Sequence, residues 1–215
     1  ITFENFTSLP IEESNKIFST TWYNSSQTTV IFCHGYTGHP NGIAVTAVVK
    51  AYLEQGQSNV ALLDWEYEAS TALPSFAGSY LNWAAPNARQ LGVRFSEVIT
   101  GLDPASVAFE GRPPSMKLTS NSARLVIVIH SDPSKYGYKT SVGTVDFWPN
   151  YNIGVVIQPG YLCNHNRSWQ LLVDAIKYPG SIIGSLAKNY RVWKRYSNDE
   201  RNAVTLSLTP TDESL

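Results

Sequence analysis

The chain has 215 residues, with 16 Lys plus Arg against 17 Asp plus Glu and a net charge of -1. That balance excludes a basic nucleic-acid binder and a polybasic membrane-surface module, both of which need a cationic surplus. Charged residues are only 15% and aromatics reach 12%, the composition of a chain that buries a core.

Residues 1–27 are polar with interspersed aromatics and read as an irregular lead-in, with one strand near residues 16–22. Thr28-Thr29-Val30-Ile31-Phe32-Cys33 is β-branched and apolar and closes on His34-Gly35, the pattern of a buried parallel strand. Residues 41–55 show helical spacing through Ile43, Val45, Ala47, Val48 and Ala51. Residues 59–64 form a second buried strand. Residues 87–98 form a second helix carrying Leu91, Val93, Phe95 and Val98. Leu125-Val126-Ile127-Val128-Ile129 is a third strand ending on His130, and residues 154–157 a fourth. It is the longest apolar run, far too short to span a bilayer. Residues 169–176 are helical, ended by Pro179 and Gly180, and residues 182–194 form a last short helix. This gives a lead-in over 1–27, one domain over 28–196 and a polar tail over 197–215.

Buried strands alternating with helices specify an α/β fold with a mostly parallel sheet and flanking helices. In such sheets the site lies beyond the carboxyl ends of the strands. His34, Asp64, Asp103, His130, Ser131 and Asp132 all sit there. Asp103 and His165, in that chain order on separate loops, fit the acid and base of a hydrolase triad. The acid fixes the imidazole tautomer and the imidazole moves the proton. The His34-Gly35-Tyr36 turn offers backbone N–H at Tyr36 for an oxyanion hole.

These residues carry a resemblance. Val30 to Gly38, Asn59 to Trp65, Gly92-Val93, Thr100 to Ala105, Val128 to Asp132, Asp146-Phe147-Trp148-Pro149-Asn150, Gln158-Pro159-Gly160 and Cys163 to Trp169 occur in the order seen in the secreted pancreatic-lipase-like family. That family includes insect members, phospholipases A1 and fly yolk proteins. The resemblance implies an α/β-hydrolase-like fold, with Asp103 and His165 as triad acid and base and Tyr36 at the oxyanion turn.

The departures are as specific. The family carries its nucleophile on a Gly-x-Ser-x-Gly elbow. No such motif occurs here, and about forty residues of strand, elbow and helix are missing between Gly92-Val93 and Thr100-Gly101. The fold is therefore expected to be truncated at its centre. Ser141-Val142-Gly143 is the only Ser followed two positions on by Gly, and it lacks the first Gly. Tyr161 replaces the cysteine that opens the family's lid loop, which leaves Cys163 without its family partner. The positions that resemble the family's calcium ligands are Thr119 and Ser122, which lack the charge a hard cation needs.

Simpler roles suit other residues. Asp64 ends its strand and accepts from a local N–H. His130 is a satisfied structural histidine. No His/Cys/Asp spacing suggests zinc, and no metal or cofactor is expected. Phe147, Trp148 and Tyr36 line an apolar ligand pocket or serve as core and rim aromatics. Cys33 and Cys163 either pair or remain thiols. The chain opens on Ile1 without an initiator Met and carries sequons at Asn5, Asn24 and Asn166, which reads as a mature secreted chain, glycosylated at Asn5 and Asn24. The expected function is a secreted, catalytically inactive lipase-like protein that binds lipid or another apolar ligand, or acts as a yolk, storage or structural glycoprotein. Its partners would be apolar small molecules or copies of itself in an assembly, with no nucleic acid and no membrane span. The alternative is an active lipase or phospholipase A1 whose elbow segment is missing from these 215 residues.

Overall fold

The structure, a computed structural model, describes residues 6–91, 97–133, 135–149, 162–188, 190–196 and 203–206. It divides into two compact units, Ile1–Ala84 and Ala85–Leu215.

The first unit opens on a 3-10 helix, Ile11–Ser19, where the sequence predicts irregular chain and a strand. Pro10 precedes it, and Glu12 and Glu13 place negative charge at its amino end, where the helix dipole favours it. Lys16 pairs with Glu13 at 2.7 Å along one face. Strands β1 (Thr28–Cys33) and β2 (Ser58–Leu63) pair in parallel from Thr28↔Ser58 to Cys33↔Leu63. Helix α1 (Ile43–Gln55) joins them, buries Val45, Val48, Val49 and Ala51, and ends on Gly56 at φ 71°. That left-handed stop is glycine's. Asn59 is buried and ties the lead-in to the strands. Its amide donates to Asn24 O and Gln27 O, and its Oδ1 accepts from Asn24 N at 2.8 Å. The apolar run of β1 is not buried as expected but alternates between exposed and half-buried. Among the described residues β2 is its sole strand partner. Helix α2 (Phe76–Ser79) and a π-helical turn, Tyr80–Ala84, complete this unit.

The second unit begins with α3 (Ala85–Leu91). The helix expected over 87–98 does not reach Val98, which opens strand β3 (Val98–Leu102). Val98, Ile99 and Thr100 are β-branched and fit a pleated strand. Residues 92–96 lie outside the described residues. Strands β3, β4 (Leu125–Ile129) and β5 (Val145–Phe147) form a parallel sheet in that order. All five residues of β4 are buried, as a central parallel strand requires. Leu125, Ile127, Ile129, Ala175 and Leu206 form the core, with Val98, Leu102, Val145, Phe147 and Leu171 packed on it. Ala175 and Leu171 come from α4 (Cys163–Lys177), which starts at Cys163 rather than at Trp169. The expected helix over 182–194 is instead a strand, β6 (Ile183–Ser185), followed by α5 (Tyr190–Tyr196). β6 pairs antiparallel with β7 (Ala203–Thr205). The strand expected over 154–157 lies outside the described residues. Among those residues, no helix is long and apolar enough to cross a membrane.

Candidate acid–base site

The register of the second unit's sheet builds the site. Leu102 of β3 lies opposite Ile129 of β4, so the chain leaves both strands side by side. Asp103 follows directly, and its N–H donates to Ile129 O at 2.8 Å. Its φ of 48° is left-handed, a conformation that Asp tolerates better than most residues. The turn sends the carboxylate across the end of β4, where the residue is 1% exposed. Oδ1 accepts from the N–H groups of Ser131 and Asp132, each at 2.9 Å. Oδ2 lies 2.7 Å from His165 Nδ1. Three donors satisfy a charge that would otherwise be costly to bury.

His165 lies in the first turn of α4, not on a loop. The buried residues of α4 are Ser168, Leu172, Ala175 and Ile176. Positions 165, 168, 172 and 176 recur at the helical period, so the stripe that anchors the helix also carries His165 to Asp103. The imidazole remains 31% exposed. A carboxylate accepts only, so Nδ1 holds the proton and Nε2 is left as the basic nitrogen. The ring of Tyr136 stands 5.8 Å from that of His165.

Two further residues border the pair, and only Gly137 went unmarked in the sequence. Gly137 abuts Asp103 so closely that a β-carbon would overlap the carboxylate. Asp132, 4% exposed, adds a second acid beside the pair. Burial pushes its carboxyl up, and the Asp103 charge adds to this, while His165 and Lys135 pull it down. Asp132 had a cue in its place after β4. Gly137 had none beyond being a loop glycine between two tyrosines.

Tyr36 belongs to the first unit. In its turn the Thr37 N–H donates to Ala69 O and the Gly38 N–H to Gly35 O. The Tyr36 ring packs on Phe76 at 4.9 Å and Tyr80 at 5.1 Å. Phe147 packs on the core, and Trp148 lies flat on His130 at 3.8 Å. Asp64 accepts from Glu66 N at 3.0 Å, as its strand-end position suggested. Among the described residues no serine hydroxyl is bonded to His165 Nε2. The hydroxyls of Ser131 and Ser168 donate to the His165 carbonyl, at 3.3 and 2.8 Å. Ser168 of the Asn166 sequon is 2% exposed within α4, whereas Asn24 stands in an exposed turn with its Oδ1 accepting from Ser26 N and Oγ. Asn5 lies outside the described residues. Cys33 and Cys163 form no disulfide. No described cluster of three His, Cys, Asp or Glu could hold a metal ion.

The sequence model of the lipase family matches residues 77–199, a span that holds both Asp103 and His165. Lipase member H-A of Xenopus laevis is 29% identical over 218 residues, covering 80% of this chain and 46% of the relative. Lipase member H of Oryctolagus cuniculus is 32% identical over 189 residues, covering 80% and 38%. Pancreatic lipase-related protein 2 of Cavia porcellus is 25% identical over 207 residues, covering 78% and 48%. The chain thus spans about half the length, or less, of the curated relatives it matches.

Proposed function

Starting from the fact that this chain belongs to the lipase family, we propose that its 215 residues keep the acid and base of an ester hydrolase without the nucleophile, and act by binding apolar ligands. One observation carries this reading. Asp103 holds His165 at 2.7 Å, yet the sequence contains no Gly-x-Ser-x-Gly elbow. Without a nucleophile the acyl-enzyme route is closed, and water attack alone keeps the hard step whole. Tyr36, Phe76 and Tyr80 support the apolar-ligand role. They form an aromatic cluster in which Phe76 is 56% exposed, and neighbouring Leu73 and Leu81 are exposed as well. Phe147 and Trp148 are occupied by the core and by His130, so the ligand role falls to Tyr36. Secretion, a glycan at Asn24 and a storage role like that of yolk proteins complete the proposal.

A fluorescent fatty-acid analogue tests it. Saturable binding that weakens at least fivefold in Tyr36→Ala and Phe76→Ala is expected, and absence of saturable binding would refute the role.

The Asp103–His165 pair at 2.7 Å favours a second reading. In it a nucleophile-bearing segment outside these residues completes a carboxylic-ester hydrolase.

A further inference from the structure

The second unit holds another histidine–aspartate pair, with side chains 0% and 7% exposed. His130, at 0% exposure, follows β4 directly. Its Nε2 lies 2.7 Å from Asp146 Oδ1, and its Nδ1 lies 3.2 Å from Tyr138 O. The Trp148 ring covers one face at 3.8 Å, inclined by 4°. Asp146 Oδ1 also accepts from Val142 N and Gly143 N, each at 3.1 Å. Burial alone would raise the Asp146 carboxyl, but the His130 hydrogen bond and those two amides outweigh it and hold it below the usual carboxylate range. With two backbone N–H groups already donating to it, Asp146 Oδ1 is an acceptor, as is the Tyr138 carbonyl. Only an imidazole protonated at both nitrogens donates to both.

The position of this pair gives it work to do. Ser131 and Asp132, whose amides hold Asp103 Oδ1, are the next two residues after His130. Tyr138 is bound on both sides. Its carbonyl accepts from His130, and its N–H donates to Pro104 O at 3.2 Å, one residue beyond Asp103. Between Tyr136 and Tyr138 lies Gly137, pressed on the Asp103 carboxylate. Ser106 N donates to Tyr136 O at 2.9 Å and Gly137 N to Asp132 O at 3.0 Å, which closes the strap. One residue thus binds the strap that covers Asp103 through its ring and leads directly into the two amides that hold the carboxylate.

We propose that His130 is a doubly protonated, buried positioning residue, paired with Asp146, that keeps the Asp103 carboxylate dry and thereby fixes the orientation of His165. The proposal concerns the geometry of the Asp103–His165 pair and holds whether or not that pair turns over a substrate. Loss of Asp146 leaves a buried cation without its counter-ion, which is the costly way to break such a pair. The strap should then loosen and admit water to Asp103.

The experiment is nitrogen-edited NMR of the histidine side chains in the full chain. In the unaltered protein His130 should show two slowly exchanging ring N–H signals, and His165 one, at Nδ1. In Asp146→Asn and His130→Gln the His165 signal should be lost to exchange with water. In Val126→Ala, which thins the same strand at a buried position, it should persist despite a comparable fall in Tm. A single ring N–H on His130 would overturn the proposal, and that measurement does not depend on any variant folding. A His165 signal that persists in folded Asp146→Asn, or that vanishes equally in Val126→Ala, would also overturn it.

Discussion

Gly137 lies against the Asp103 carboxylate with no room for a β-carbon between them. The contact explains why the strap from Tyr136 to Tyr138 approaches a buried charge so closely. In Gly137→Ala either the strap or the carboxylate must shift. The expected cost is about 1–3 kcal/mol, the range for overpacking a tight site. Chemical denaturation measures it, and a cost near zero would show that the strap moves freely.

Asp103→Ala and Asp103→Asn should separate two roles of the same side chain. Alanine leaves the Ser131 and Asp132 N–H groups buried without an acceptor, at about 1–3 kcal/mol each. Asparagine keeps an oxygen for those two amides but no longer offers a charge to His165. The asparagine variant should therefore be the more stable of the two by urea unfolding, and the His165 Nδ1–H signal should vanish in both by NMR, because in Asp103→Asn the amide Nδ2 donates to Nδ1 and the ring holds the opposite tautomer.

Asp132→Asn should stabilise the protein at neutral pH. Burial and Asp103 raise the Asp132 carboxyl in the folded state. A raised carboxyl contributes stability below the unfolded value of about 3.9, and that contribution is lost as pH rises through the folded value. The ionised form is thus a liability at pH 7, which asparagine removes. The Tm of the variant should exceed that of the parent at pH 7, and the difference should close in acid. A variant that is less stable at pH 7 would contradict the assignment.

The elements that the sequence made legible are those with strong local patterns. Leu125 to Ile129 is a pure apolar run and forms the fully buried β4. The spacing of Val45, Val48 and Ala51 marks α1. Asp103 and His165 were visible from their chain order and the resemblance around them. Missed elements had no pattern long enough to read. β5 has three residues, too few to show a period. The first turn of α4 is polar, Asn164, His165, Asn166 and Arg167, so its helical stripe starts only at Ser168. Gly137 and the His130–Asp146 pair act through contacts between distant chain positions, which leave no local trace.

The central proposal is that Asp103 and His165 form a lipase-like acid–base pair with no serine hydroxyl bonded to His165 among the described residues and no Gly-x-Ser-x-Gly elbow in the sequence. Treatment of the purified chain with a fluorophosphonate probe tests it most directly, read by intact mass and peptide mapping. The account predicts no labelled serine, Ser131, Ser141 and Ser168 included, and hydrolysis of short-chain nitrophenyl esters no faster than in His165→Ala. Stoichiometric labelling of one serine, abolished by His165→Ala, would contradict it.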